Sequence, residues 1–196
     1  MSESDRSLAL MERKVRRFAW HAPPRFDYVG DLRFIITAAC YEHKHIIGKS
    51  PERLAECESD IVGICNESEA KLFAWCILPN HYHILIQTEA IHEFLKRLGK
   101  FHGSSSYKWN GEDNARGRQV WFRALERSMR SDRHFYASLN YIHHNAVKHG
   151  YATKWREWPF SSANEYLEKV GSEKAAKIWH EYPVLDYGRD WDADQE

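Results

Sequence analysis

Apolar positions follow two periods along this chain, and the switches between them outline its elements. Residues 32–41 (LRFIITAACY) form an apolar, β-branched run without helical period, which predicts a central strand. After a polar turn, Ser50-Pro51 has the form of an N-cap followed by proline at the first helical position. Leu54, Cys57, Ile61, Ile64 and Cys65 then recur at three- and four-residue spacing, so 51–66 reads as an amphipathic helix. Residues 71–78 and 81–88 read as two strands joined tightly at Pro79-Asn80. Ile91, Phe94, Leu95, Leu98 and Phe101 make the stripe of a second helix over 91–109. The polar segment 111–117 (GEDNARG) reads as a flexible loop. A strand is expected at 120–122. Ser131 or Asp132 caps a third helix that runs to His149, with Gly150 at its C′ position. A last helical stretch is expected at 163–170.

This order of strand, helix, strand, strand, helix, strand, helix predicts an α+β fold, a ferredoxin-like antiparallel sheet covered by helices. Residues 1–30 read as a basic extension carrying Arg13, Lys14, Arg16 and Arg17. Residues 31–162 read as the domain and 163–196 as a C-terminal tail.

Composition adds bounds. The chain has 196 residues, enough for one core with extensions. Twenty-eight basic residues balance 28 acidic ones, so any surface for nucleic acid has to be local. Cys40, Cys57, Cys65 and Cys76 form no CxxC pair and read as reduced thiols. With no leader-like start and no apolar run of membrane-spanning length, a soluble cytoplasmic protein is expected.

The chemistry enters at His81-Tyr82-His83. On a strand the two histidines point one way, while Tyr82 shares the other face with Ile84 and Ile86. That second face is expected to be the buried one, with Tyr82 as its anchor. The two imidazoles, side by side on a rigid strand, can hold a divalent metal. On the third helix Phe135, Leu139, Ile142 and Ala146 share one face. Tyr141, Asn145 and Lys148 fall within roughly 60° of each other on a different one. Asn145 can add an oxygen ligand to the two imidazoles, a mixed set suited to magnesium or manganese. Tyr141 can then act as nucleophile on a metal-polarised phosphate, with Lys148 neutralising its charge.

These segments resemble the single-tyrosine HUH transposases, the REP-associated tyrosine transposases above all. The resemblance rests on Leu78-Pro79-Asn80-His81-Tyr82-His83-Ile84-Leu85, on Val120-Trp121-Phe122 through Arg130, and on Tyr141-Ile142-His143-His144-Asn145-Ala146-Val147-Lys148 followed by Trp158-Pro159-Phe160-Ser161-Ser162. It implies an HUH nuclease-type fold, His81 and His83 as metal ligands, Tyr141 as nucleophile, and Asn145 where related enzymes often carry glutamine. Ala146 stands where many members have proline. The implied activity is metal-dependent cleavage and rejoining of single-stranded DNA at hairpin-forming repeats. It runs through a 5′-phosphotyrosine with a 3′-OH leaving, in a monomer or a homodimer. Arg123, Arg127, Arg130, Arg133 and the second-helix lysines are candidates for contacts to the DNA backbone.

Two other readings stand beside this one: a domesticated, non-catalytic protein that binds DNA hairpins, and a metal hydrolase with Tyr141 as acid. Tyr136 and Tyr151 are poorer nucleophiles by position. His43, His45 and His144 read as surface residues, and Gln87 shares the parity of His83 and is expected to support it.

Overall fold

The computed structural model describes residues 32–184; the basic cluster at residues 13–17 and the acidic end lie outside them. Four strands form one antiparallel sheet: β1 Arg33–Ala39, β2 Lys71–Ile77, β3 His81–Gln87 and β4 Leu125–Ser128, in the order β2-β3-β1-β4. Helix α1, Pro51–Glu67, joins β1 to β2, and α2, Ile91–Glu112, joins β3 to β4. This is the ferredoxin-like arrangement. Helix α3, Asp132–Lys148, follows β4, and α4, Ala163–Val170, and α5, Ser172–Glu181, complete the described chain. Helix α5 was not foreseen.

The caps formed as the sequence predicts. Ser50 Oγ accepts from Arg53 N ahead of Pro51, and Ser131 Oγ accepts from His134 N at the start of α3. Gly150 ends α3 at φ 73°, a left-handed conformation in which glycine carries no steric cost.

Both faces of the sheet are buried, not one. Phe34, Ile36, Tyr82, Ile84 and Ile86 pack with Leu54, Cys57 and Ile61 of α1 and with Phe94, Leu98 and Trp109 of α2. Ile35, Ala74, Cys76 and Leu85 pack on the other face against Phe135, Leu139, Ile142 and Ala146 of α3. The histidine pair therefore lies beneath a helix, because α3 needs a sheet face for its own apolar stripe.

The fourth strand is displaced from 120–122 to Leu125–Ser128. Val120 and Trp121 are buried core residues, and Trp121 makes only an isolated bridge to Cys40. The strand itself, LERS, is a half-buried sheet edge, where an apolar run is not required.

The segment 111–117 is not loose. Helix α2 extends through Glu112, and the Asp113 carboxylate is ion-paired to Arg53, Lys49 and Arg118. Its pKa is pushed far down, first by the Arg53 hydrogen bond.

The β2 edge is covered by the chain itself. Ile77 N donates to Phe160 O at 2.9 Å and Ser162 N to Trp75 O at 3.1 Å, while Trp158 Nε1 donates to Ile77 O at 2.8 Å. Residues 158–162 are thus built onto the sheet.

Candidate active site

Strand parity puts His81 and His83 on the face covered by α3. Their ring centroids are 5.0 Å apart, and both side chains are buried. Helical periodicity then brings Tyr141 and Asn145, one turn apart, down onto them. Asn145 Oδ1 lies 3.0 Å from His81 Nε2, and Tyr141 Oη lies 3.4 Å from His83 Nε2. The Lys148 Nζ sits 5.0 Å from the Tyr141 ring centroid, and Lys148 is exposed. Four of the residues picked from sequence therefore converge, with Lys148 at the margin. Tyr141 is 1% exposed and Asn145 fully buried, so a ligand reaches the phenol only after covering groups move.

Each imidazole is held through its other nitrogen. Thr37 Oγ1 is 2.7 Å from His83 Nδ1, across the β1–β3 ladder in which these two residues are register partners. Asn80 Oδ1 is 2.7 Å from His81 Nδ1. Sequence reasoning missed both. Strand pairing, which fixes the first, is not written in any local pattern, and Asn80 passed as a turn residue. His149 also lies beside the pair, its ring 4.9 Å from that of His81. Its spacing, four residues after Asn145, was the available signal.

Gln87 and His144 depart from expectation, while His45 and Tyr82 follow it. Gln87 is exposed at the far end of β3 and pairs with Arg33 and Lys71, so it does not support His83. His143 is buried against Ser162 Oγ at 3.0 Å, and burial pushes its pKa down to about 3. His144 is half-buried against Trp179 of α5, 5.3 Å between centroids, rather than open to solvent. His45 is exposed and meets the Tyr151 hydroxyl at 3.2 Å. Tyr82 is fully buried with its hydroxyl 2.8 Å from His102 Nε2, and desolvation holds its pKa well above the phenolic range. It is no nucleophile. Tyr136 stacks on Tyr182.

The candidate DNA-contacting cations divide by location. Arg127 is the register partner of Ile35, which faces α3, and Arg130 is exposed beside the α3 N-terminus. Arg123 lines a groove along α2 with Phe122, His92 and Lys96. Lys96, Arg97 and Lys108 pair with Glu93, Glu67 and Glu56, on a helix that covers the opposite sheet face from His81.

Among the described residues no three His, Cys, Asp or Glu side chains are grouped to hold a metal ion. The donor set here is of another kind, two imidazoles and an amide oxygen. It fits a divalent ion: His81 Nε2 and Asn145 Oδ1, both atoms of a kind that can ligate one, face each other at 3.0 Å. Asn145 Nδ2 is buried and makes no hydrogen bond among the described residues.

The family model described as "Transposase IS200 like" matches residues 32–145, spanning β1 to Asn145. The chain belongs to this transposase family. It is a member of a family of enzymes, and its function is that of a transposase. A Haemophilus influenzae protein named "Putative REP-associated tyrosine transposase" is 28% identical over an alignment of 138 residues, covering 58% of this chain and 74% of that protein. A solved structure of a REP-associated tyrosine transposase bound to a REP hairpin superposes with a TM-score of 0.58. It is 17% identical and covers 76% of this transposase and 86% of that chain, so it shares the fold. No helix among the described residues is long and apolar enough to cross a membrane.

Proposed function

We propose that this transposase cuts and rejoins single-stranded DNA at hairpin-forming repeats through a covalent link between Tyr141 and a 5′-phosphate. The observation that carries the reading is the meeting of Tyr141 and Asn145, one helical turn apart, with the two histidines of β3. The hairpin bound by the structurally similar transposase supports hairpin DNA as the substrate.

His81, His83 and Asn145 would hold Mg²⁺ or Mn²⁺; when bound, such an ion would supply polarisation of the scissile phosphate. Tyr141 forms a bond from its phenol oxygen to phosphorus, and the P–O3′ bond breaks to release a 3′-OH. A second 3′-OH then attacks the phosphotyrosine, which restores the phenol and rejoins a strand. Each step exchanges one phosphodiester for another, so no outside energy source is needed. A free phenol has a pKa near 10; Lys148, close to the Tyr141 ring, favours the developing phenolate and offsets phosphate charge. Arg123, Arg127 and Arg130 contact the DNA backbone, a sequence-independent contribution that weakens with salt.

The test incubates the protein with a single-stranded hairpin oligonucleotide and Mn²⁺ or Mg²⁺. A denaturation-resistant protein–DNA adduct is expected, absent in Tyr141→Phe and absent with a chelator. Equal cleavage by wild type and Tyr141→Phe overturns the nucleophile, and cleavage in chelator overturns the metal. Hairpin binding without cleavage in either metal points instead to a domesticated hairpin-binding protein.

A further inference from the structure

We infer that Asn80 and Thr37 act as positioning residues that lock His81 and His83 in a single neutral tautomer, hydrogen on Nδ1 and lone pair on Nε2. The inference deepens the reading above, and its consequence for metal binding rests on that reading.

The Asn80 argument starts from a carbonyl. His43 O can only accept, and Asn80 Nδ2 donates to it at 3.1 Å. That contact fixes which way the Asn80 amide faces, a choice otherwise ambiguous for an asparagine. Its Oδ1 is then the atom 2.7 Å from His81 Nδ1. An amide oxygen also only accepts, so Nδ1 must carry the hydrogen. In a neutral imidazole Nε2 is left with the lone pair. Turning the Asn145 amide does not alter this. With Oδ1 toward His81, as found, two lone pairs converge at 3.0 Å on a place that suits a cation. With Nδ2 toward His81, the amide would donate to the same Nε2 lone pair.

His83 is set from another strand. The β1–β3 register places Thr37 directly opposite it, and Thr37 Oγ1 lies 2.7 Å from Nδ1. Tyr141 Oη lies 3.4 Å from Nε2. With the hydrogen on Nδ1, the Thr37 hydroxyl accepts from it and the Tyr141 hydroxyl can donate to Nε2. Both lone pairs point toward the α3 side, and neither ring needs to turn or change tautomer to bind an ion. Partners of this kind, which orient a ligating histidine through its other nitrogen, typically govern metal affinity by 10–100-fold.

The experiment has two arms. In the first, metal-free protein labelled with ¹⁵N-histidine is examined by two-bond ¹H–¹⁵N correlation at a pH where the rings are neutral. The Nδ1–H pattern is expected for both His81 and His83. It is kept by Asn80→Asp and Thr37→Ser, which retain an acceptor oxygen, and lost at His81 in Asn80→Leu and at His83 in Thr37→Val. An Nε2–H pattern at either histidine in the wild type overturns the inference, as does a pattern indifferent to Asn80→Leu and Thr37→Val. The second arm measures Mn²⁺ affinity by electron paramagnetic resonance titration. Asn80→Leu and Thr37→Val are each expected to weaken it about 10–100-fold, with Thr37→Ser close to wild type; equal affinity in all four proteins overturns the positioning role. Circular dichroism on every variant identifies any that fails to fold, for which the serine and aspartate substitutions carry the comparison. Wild type that binds no Mn²⁺ overturns the metal reading, while the tautomer result stands by itself.

Discussion

Gly48 lies directly against Pro79, the residue that opens the turn into His81. Gly48 N donates to Pro79 O at 2.9 Å, and a Cβ on Gly48 would overlap the proline Cβ and come within 2.7 Å of its Cα. The turn carrying Asn80 and His81 is thus seated on a backbone with no side chain. Gly48→Ala must push the turn away, at a cost of about 1–3 kcal/mol by analogy with overpacked cores. Urea unfolding should show that loss. Adduct formation should fall more than the stability change explains, because His81 moves with the turn.

The Arg53–Asp113 pair should be among the more sensitive polar contacts in the fold. Both side chains are almost fully buried, at 7% and 4% exposure, and Arg53 also donates to Ile46 O and bonds Glu112. Asp113→Ala takes away the carboxylate shared by Arg53, Lys49 and Arg118, while Arg53 keeps Glu112 and Ile46 O. It should cost about 1–3 kcal/mol in urea unfolding, with little dependence on salt. A loss under about 1 kcal/mol would show that the network is dispensable.

Tyr82→Phe separates the two tyrosines that flank the histidines. It removes the hydroxyl bonded to His102 Nε2 and leaves that nitrogen buried without its partner. A destabilisation of about 1–3 kcal/mol is expected, with the protein–DNA adduct still formed. Loss of the adduct in a folded Tyr82→Phe protein would return Tyr82 to the list of reacting groups.

His102 should shape the acid limb of the stability curve. Burial pushes its pKa down from 6.5 to about 3, and its ring stacks on Trp121 at 4.4 Å. The unfolded chain therefore binds a proton that the folded chain refuses between those two values. The stabilisation is complete above about pH 6.5 and is lost as pH falls toward 3, by at most about 1.4 kcal/mol per pH unit. His102→Gln should flatten the fall in urea midpoint between pH 6.5 and pH 4 relative to wild type. An unchanged slope would remove His102 as a cause.

The arginines are separable by salt. If Arg123, Arg127 and Arg130 each neutralise a phosphate, each alanine substitution should reduce the slope of log affinity against log salt by about one unit or slightly less, with the same loss for any hairpin sequence. Fluorescence anisotropy over a salt series measures this, and a variant with unchanged slope is not a phosphate contact.

How much of this was legible depended on how far apart the partners lie. Strand parity alone fixed the shared direction of His81 and His83, and helical periodicity alone put Tyr141 beside Asn145, so half-sites were readable from windows of a few residues. Thr37 was invisible because its role arises from register with His83, 46 positions away. Asp113 looked like part of a loose polar loop because the arginine that holds it is 60 residues upstream. The fourth strand was misplaced because Val120 and Trp121 are apolar for the core's sake, while LERS lies at an edge. Helix α5 carries little buried surface, only Ala175 being fully enclosed, so its pattern gave a weak signal.

The strip 158–162 that covers β2 has a consequence for synthesis. Among the described residues, the outer backbone groups of Trp75 and Ile77 are satisfied by residues that follow α3 in the chain. Until those residues have left the ribosome, Trp75 and Ile77 present an open strand edge, the feature most prone to pairing with another nascent chain. A stop anywhere between β4 and Trp158 would release a product with its histidine hairpin formed and its sheet unsealed. Quality control would meet that product as an aggregating fragment and not as a half-active enzyme.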